Sequence, residues 1–186
     1  MRAKLLSWLF LFAGLALGGC AIVEPLKSED LVVTAVAGQS RHVGVVLAVQ
    51  PVGVAKDTAS FSRPSIDRRA FEAGLVGTLA ASRIFDRVVP GTEGDYVLAS
   101  EIITQEPLDP RSITIPILIH YRLIEAASRR TVWKRNIFTQ PLVPFERSLE
   151  DAMGEKRHNH MLREGFRENF SRLVAALREL QLQQRP

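Results

Sequence analysis

The chain has 186 residues, 46% of them hydrophobic and 24% charged, with a formal net charge of +4. That length suits one domain with a real core, burying about 70% of the surface its unfolded chain would expose. A single cysteine, Cys20, leaves no partner for an internal disulfide and no set for a multi-cysteine zinc site, and the small positive excess calls for no nucleic acid.

Arg2 and Lys4 precede an apolar run from Leu5 to Leu17, broken only by Ser7 and Gly14, and the small pair Gly18-Gly19 ends it. Positive, apolar, then small is the order of a secretory signal. The run is shorter than the roughly 20 residues a membrane span needs. Leu17-Gly18-Gly19-Cys20 resembles the lipobox of bacterial lipoproteins. The resemblance implies a diacylglycerol on the Cys20 thiol, removal of residues 1–19, and a fatty acyl chain such as palmitate on the new amine. No other cofactor is expected. One acyl chain holds a protein to a bilayer only marginally and two hold it stably, so the membrane is the first expected partner. Ala21 stands where an aspartate would signal inner-membrane retention, which resembles an address on the periplasmic face of the outer membrane. The chain from Cys20 onward carries 22 Lys and Arg against 20 Asp and Glu. With Cys20 acylated, no thiol nucleophile remains.

Residues 20–41, with Pro25, Gly38 and scattered charges, read as the lipidated N-terminus and a tether. About twenty flexible residues reach roughly 25 Å. Leu31-Val32-Val33 is a candidate short strand within it. A single α+β domain is expected over 42–182, with a frayed tail at 183–186.

His42 to Gln50, "HVGVVLAVQ", reads as the first strand, ended by Pro51 and Gly53. A polar loop covers 54–64. Residues 65–83 read as a helix: Ser65 is the expected N-cap, Asp67 suits the positive helix end, and Phe71, Leu75 and Leu79 stack on one face. Gly74 and Gly77 weaken that helix by up to about 1 kcal/mol each but permit close packing. A short strand is expected at 87–89, a turn region around Pro90, Gly91 and Gly94, a longer strand over 95–105, and a turn at 108–111.

The clearest pattern is "SITIPILIHYRLIEA". Ile113, Ile115, Ile117, Ile119, Tyr121 and Leu123 occupy every second position, so one sheet face is buried. Thr114, Pro116, Leu118, His120 and Arg122 take the other face. One-sided burial favours an antiparallel or mixed sheet, and Pro116 predicts a bulge or an edge. The short link "EAASRR" at 125–130 predicts an antiparallel hairpin to "TVWKRNIFTQ" at 131–140, closed by Pro141 and Pro144. Ser148 and Asp151 make a loose capping box, and Gly154 interrupts. Leu162, Phe166, Phe170, Leu173, Leu177 and Leu180 then form one stripe over about five helical turns. The order is β-α-β-β-β-α: a single antiparallel or mixed sheet of four to five strands, with two helices packed on one face.

No residue is assigned a catalytic role. His158 and His160 lie about 200° apart on a helix and do not share a metal; no metal site is assigned. His120 and His42 lack any marked partner, Ser40 near His42 precedes the first strand, no G-x-S-x-G elbow occurs, and "GLVG" at 74–77 lacks a Walker lysine. Asp95, Glu101 and Glu106 read as ordinary carboxylates at strand ends. Trp133 reads as core beside Ile137, with exposure to a partner or lipid headgroup as the alternative. Arg129-Arg130 at the hairpin tip read as a solvated turn, with an anionic lipid or acidic partner as the sharper alternative. Arg129, Arg130 and Trp133 are therefore the candidate contacts.

"GDYVLASEI" followed by "ILIHYRLIEAASRRTVWKRNIFT" resembles a segment of small envelope lipoproteins: the auxiliary lipoproteins of ABC-type lipid-transport systems and the lipoprotein activators of penicillin-binding proteins. That resemblance implies a sheet-plus-helices domain acting as a non-catalytic partner within an envelope complex for lipid or cell-wall processes, with an envelope protein as partner. Two other readings stay open: a carrier of an apolar ligand, marked by an empty cavity between sheet and helices, and a periplasmic enzyme, marked by His120 bonded to a carboxylate in a deep pocket.

Overall fold

The structure, a computed structural model, describes residues 26–34, 43–54, 67–104, 115–141 and 155–180. In chain order these form α1 (Ser28–Leu31), β1 (Val43–Val49), β2 (Gly53–Val54), α2 (Arg68–Ser82), β3 (Phe85–Pro90), β4 (Tyr96–Thr104), β5 (Ile117–Glu125), β6 (Thr131–Thr139) and α3 (Glu155–Arg178). Val54, expected to open a polar loop at 54–64, ends β2 instead; the rest of that loop, the expected signal and lipobox, Ser40, His42, Ser65, Glu106, Ile113, the turn at 108–111, Ser148 and Gly154 all lie outside the described residues.

The strands form one sheet in the order β3-β1-β4-β5-β6, and the short β2 continues alongside β4. β1 runs parallel to β3 and β4, whereas β4, β5 and β6 are antiparallel. The sheet is therefore mixed, and the fold is α+β as expected. Register alignment puts Leu98, Ser100 and Ile102 of β4 opposite Leu123, Tyr121 and Ile119 of β5. Ile119 in turn opposes Ile137 of β6. These side chains are buried under α2 and α3, joined by Leu47 and Val49 of β1.

The period-two pattern resolves into β5, but only from Ile117 onward; Ile115 is buried just ahead of the strand. β5 lies inside the sheet between β4 and β6, not at an edge. Pro116 is tolerated because it precedes the first ladder residue, where no amide donor is required. The irregularity in this ladder falls instead between Ile102 and Thr104 of β4.

α2 begins three residues later than expected. Its N-cap is Asp67, whose carboxylate accepts a hydrogen bond from the Arg69 amide at 2.9 Å. The helix ends at Arg83, in the left-handed region at φ 53°, which turns the chain directly into β3. On α3 the predicted stripe is fully or almost fully buried from Leu162 to Leu177, and Asn169 and Val174 widen it.

Two segments depart from the simple order. Residues 31–33 form no strand: Leu31 closes the single turn α1 and is fully buried, and the Val33 amide donates to Thr78 Oγ1 at 3.0 Å. α1 packs on α2 and α3 rather than on the strands. The two helix glycines make that contact, since a Cβ on Gly74 would lie 2.6 Å from Leu31 Cβ and one on Gly77 would lie 2.8 Å from Val32 Cγ2. Leu26, Leu31 and Val33 thus belong to the core, although they fall in the stretch expected to act as tether.

The second is the link at 91–95. β3 and β4 flank β1 on opposite sides, so this link must cross β1. The Gly91 amide donates to Val49 O at 2.8 Å, the Asp95 amide donates to Val46 O at 2.9 Å, and the Asp95 carboxylate accepts from the Val46 amide at 2.8 Å. A Cβ on Gly94 would stand 2.8 Å from Ala48 N and 2.9 Å from Val46 O, both backbone atoms of a central strand. Gly94→Ala is therefore expected to cost about 1–3 kcal/mol in urea unfolding through overpacking. Gly44→Ala, whose added Cβ would meet nothing within 4 Å, should be close to neutral.

Candidate interaction face

The β5–β6 hairpin carries five cations, Arg122, Arg129, Arg130, Lys134 and Arg135, against one carboxylate, Glu125. Local chemistry shapes its tip. The Glu125 amide donates to Arg130 O at 2.9 Å, and the Ser128 hydroxyl donates to the Glu125 carboxylate. The same hydroxyl oxygen accepts from the Arg130 amide at 3.3 Å. Arg129 sits in the left-handed region at φ 57°. The one acidic group is thus drawn into the turn, and Arg129 and Arg130 project into solvent.

Three residues back from the strand ends at the tip, Arg122 and Lys134 are directly opposed across the strands. Both are exposed, and their neighbours Tyr121 and Leu123 point into the core, so they face away from the helices. Like charges opposed across a ladder are unfavourable, by roughly 0.2–1 kcal/mol. Among the described residues, the side chains of Arg122, Arg129, Arg130 and Lys134 have no ion-pair or hydrogen-bond partner. Arg135 lies on the helix side, 4.0 Å from Glu179. Trp133 is half-buried and packs against the core cluster on the face it shares with Ile137, while keeping an exposed edge near the tip. The sequence reading offered Arg129, Arg130 and Trp133 as candidate contacts. It missed Arg122 and Lys134, which are twelve residues apart and become a pair only through the register.

The other candidates separate. His120 is half-buried on the outer sheet face between Glu101 and Asn136 in register, without a side-chain hydrogen bond to either. His160 lies on α3, where the Arg163 guanidinium contacts its Nδ1 at 2.6 Å. Asp95 holds the crossing link rather than a ligand.

Phe71 meets Phe166 and Phe170 edge-on, and below α3 a buried polar set bridges helix to sheet. There the Tyr121 hydroxyl donates to Asn169 Oδ1 at 2.9 Å, and Asn169 Nδ2 donates to Ile137 O at 2.9 Å and Thr139 Oγ1 at 3.4 Å. Thr139 Oγ1 donates to Gly165 O at 3.0 Å. Burial raises the Tyr121 pKa well above the ordinary tyrosine value, so its hydroxyl stays a donor. A surface groove of about 300 Å³ runs between β6 and α3, beside the exposed Phe138, and the Arg172 guanidinium donates to Phe138 O at 2.9 Å across it. Among the described residues, no helix is long and apolar enough to cross a membrane, and no three His, Cys, Asp or Glu residues gather as metal ligands.

No protein-family model matches the chain, and no curated protein matches it. Solved structures do share its fold. Protein XCC0632 from Xanthomonas campestris, a DUF330 protein, is 15% identical with a TM-score of 0.62, over 78% of this chain and 90% of that one. An uncharacterized protein is 11% identical with a TM-score of 0.54, over 75% of this chain and 96% of that one. Uncharacterized lipoprotein B from Nitrosomonas europaea aligns more loosely, at 12% identity and a TM-score of 0.38, over 77% of this chain and 91% of that one. The chain thus shares the fold of XCC0632 and of that uncharacterized protein.

Proposed function

We propose that this protein is a lipid-anchored envelope lipoprotein that acts by binding, as a non-catalytic subunit or adaptor of an envelope complex. The observation that carries the anchor is the sequence Leu17-Gly18-Gly19-Cys20 behind a signal-like apolar run. Leu26, the first described residue, is buried in the core, and five residues separate it from Cys20. Even fully extended, at about 3.3–3.6 Å per residue, they reach only about 20 Å. The domain would thus ride close to its leaflet, with Ala21 favouring the outer membrane. The sequence resemblance to transport auxiliaries and penicillin-binding-protein activators suggests lipid or cell-wall work for the complex.

The mutual contacts of Phe71, Phe166 and Phe170 leave no room for an apolar ligand among those three rings, which weighs against a carrier site there. The unpartnered His120 gives no support to an enzyme.

Mass spectrometry of the protein made in a diderm bacterium tests the anchor. The expected product begins at Cys20 and carries a diacylglycerol and one N-acyl chain; Cys20→Ser should leave the leader uncleaved and unacylated. A bare or internal Cys20 would end this reading. Ala21→Asp is expected to move the protein to the inner-membrane fraction of a density gradient.

A further inference from the structure

We infer that the outer face of the β5–β6 hairpin, built by Arg122, Lys134, Arg129 and Arg130, docks an acidic protein surface on the side of the domain away from the leaflet that holds it. Three observations converge. The first is concentration: the chain from Cys20 onward has an excess of only two positive charges, yet this hairpin holds five cations and one carboxylate. The rest of the chain is correspondingly slightly acidic. The second is the absence of counter-ions. Four of the five cations make no side-chain pair among the described residues, and Arg122 and Lys134 repel each other across the ladder. An incoming array of carboxylates relieves that repulsion, and Arg122 and Arg130 present planar guanidinium forks suited to carboxylates.

The third is direction, and it rests on the proposed anchor. The leash leaves from Leu26 at the start of α1, which packs on α2 and α3. The patch lies on the opposite face of the sheet. The layer of α2 and α3, about 8–10 Å thick, and the sheet itself stand between them, and the leash extends no more than about 20 Å. It leaves from the helix side and is too short to bring the far face of the sheet down onto the same bilayer. The patch therefore meets a macromolecule in the aqueous space, and carboxylate-rich polypeptide matches its chemistry.

The test uses the mature acylated chain on vesicles of pure phosphatidylcholine, with fluorescent poly-L-glutamate as the probe. Binding is expected, weakening as salt shortens the screening length from about 10 Å to about 3 Å. Arg122→Gln with Lys134→Gln should weaken it at least tenfold, and Arg129→Asn with Arg130→Gln comparably. The thermal midpoint should be retained or raised, since a repulsive pair is removed. Arg68→Gln with Arg69→Gln, which deletes two exposed cations at the start of α2, should change binding less than twofold. Equal loss from that control pair would mean bulk charge attraction and overturn the inference. So would abolition of probe binding on vesicles containing 30% phosphatidylglycerol, which would put the patch on the bilayer. Vesicle flotation reads the anchor separately: loss of flotation with unchanged, patch-dependent probe binding in solution removes the anchor and upholds the acidic partner.

Discussion

Phe71→Ala should lower the unfolding free energy by about 3–5 kcal/mol, the range for emptying a large aromatic site. Phe71 is completely buried on α2, and its ring meets Phe166 at 5.5 Å and Phe170 at 5.2 Å, with interplanar angles of 77° and 71°. These edge-to-face contacts place ring hydrogens against π-faces and add about 0.5–1.5 kcal/mol beyond the area removed from water. They also join α2 to α3, elements separated by the whole β3–β6 meander. Urea unfolding checks the loss, and a midpoint temperature lower by roughly 10 °C should accompany it. A double-mutant cycle with Phe170→Ala should show coupling of roughly 0.5–1.5 kcal/mol. A single-mutant loss under about 1 kcal/mol would mean that the helices collapse into the vacated space and that Phe71 does not hold them.

Asn169→Leu keeps the branched outline of a fully buried residue, at a somewhat larger volume, but removes its amide. The Tyr121 hydroxyl and the Ile137 carbonyl then lose a partner inside the core. Each stranded buried group costs about 1–3 kcal/mol, so a total loss near 3 kcal/mol is expected. Adding Tyr121→Phe should recover part of it, because deleting both partners of a buried hydrogen bond costs less than deleting one. Additive losses would show that the two side chains act independently. Tyr121 also gives a pH signature. Its folded pKa is raised by burial, so the folded chain keeps the proton that the unfolded chain releases near pH 10. Stability is intact below that value and falls as pH climbs past it. The urea midpoint should therefore drop more steeply between pH 9 and 11 in the parent chain than in Tyr121→Phe.

Asn169 shows where sequence reading stops. On α3 it stands three residues after Phe166 and four before Leu173, on the apolar face by helical period, but nothing local names the groups it bonds there. Its burial comes from β5 and β6, which bring Tyr121, Ile137 and Thr139 under it. Gly94 is similar: it reads as a turn glycine, and its tight contact exists only because β3 and β4 lie on opposite sides of β1. The expected tether erred for a related reason. Leu26, Leu31 and Val33 show no helical or strand period over so short a run. Their burial depends on the gap left by Gly74 and Gly77 on a helix more than forty residues away. Ser65 was the expected N-cap, and Asp67, valued only for its charge at the helix start, is the cap the structure shows.

By itself the amino-acid order determined the elements with the clearest local signal: β1, α2, β5 with its hairpin to β6, and the α3 stripe, together with an α+β class whose sheet it left as antiparallel or mixed. Side-chain period follows from local backbone geometry, so a single segment carries it. Only the tertiary structure decided strand order, the crossing at 91–95, the docking of α1, and the meeting of Arg122 with Lys134. Those depend on which distant surfaces close on one another, and no single segment encodes that choice.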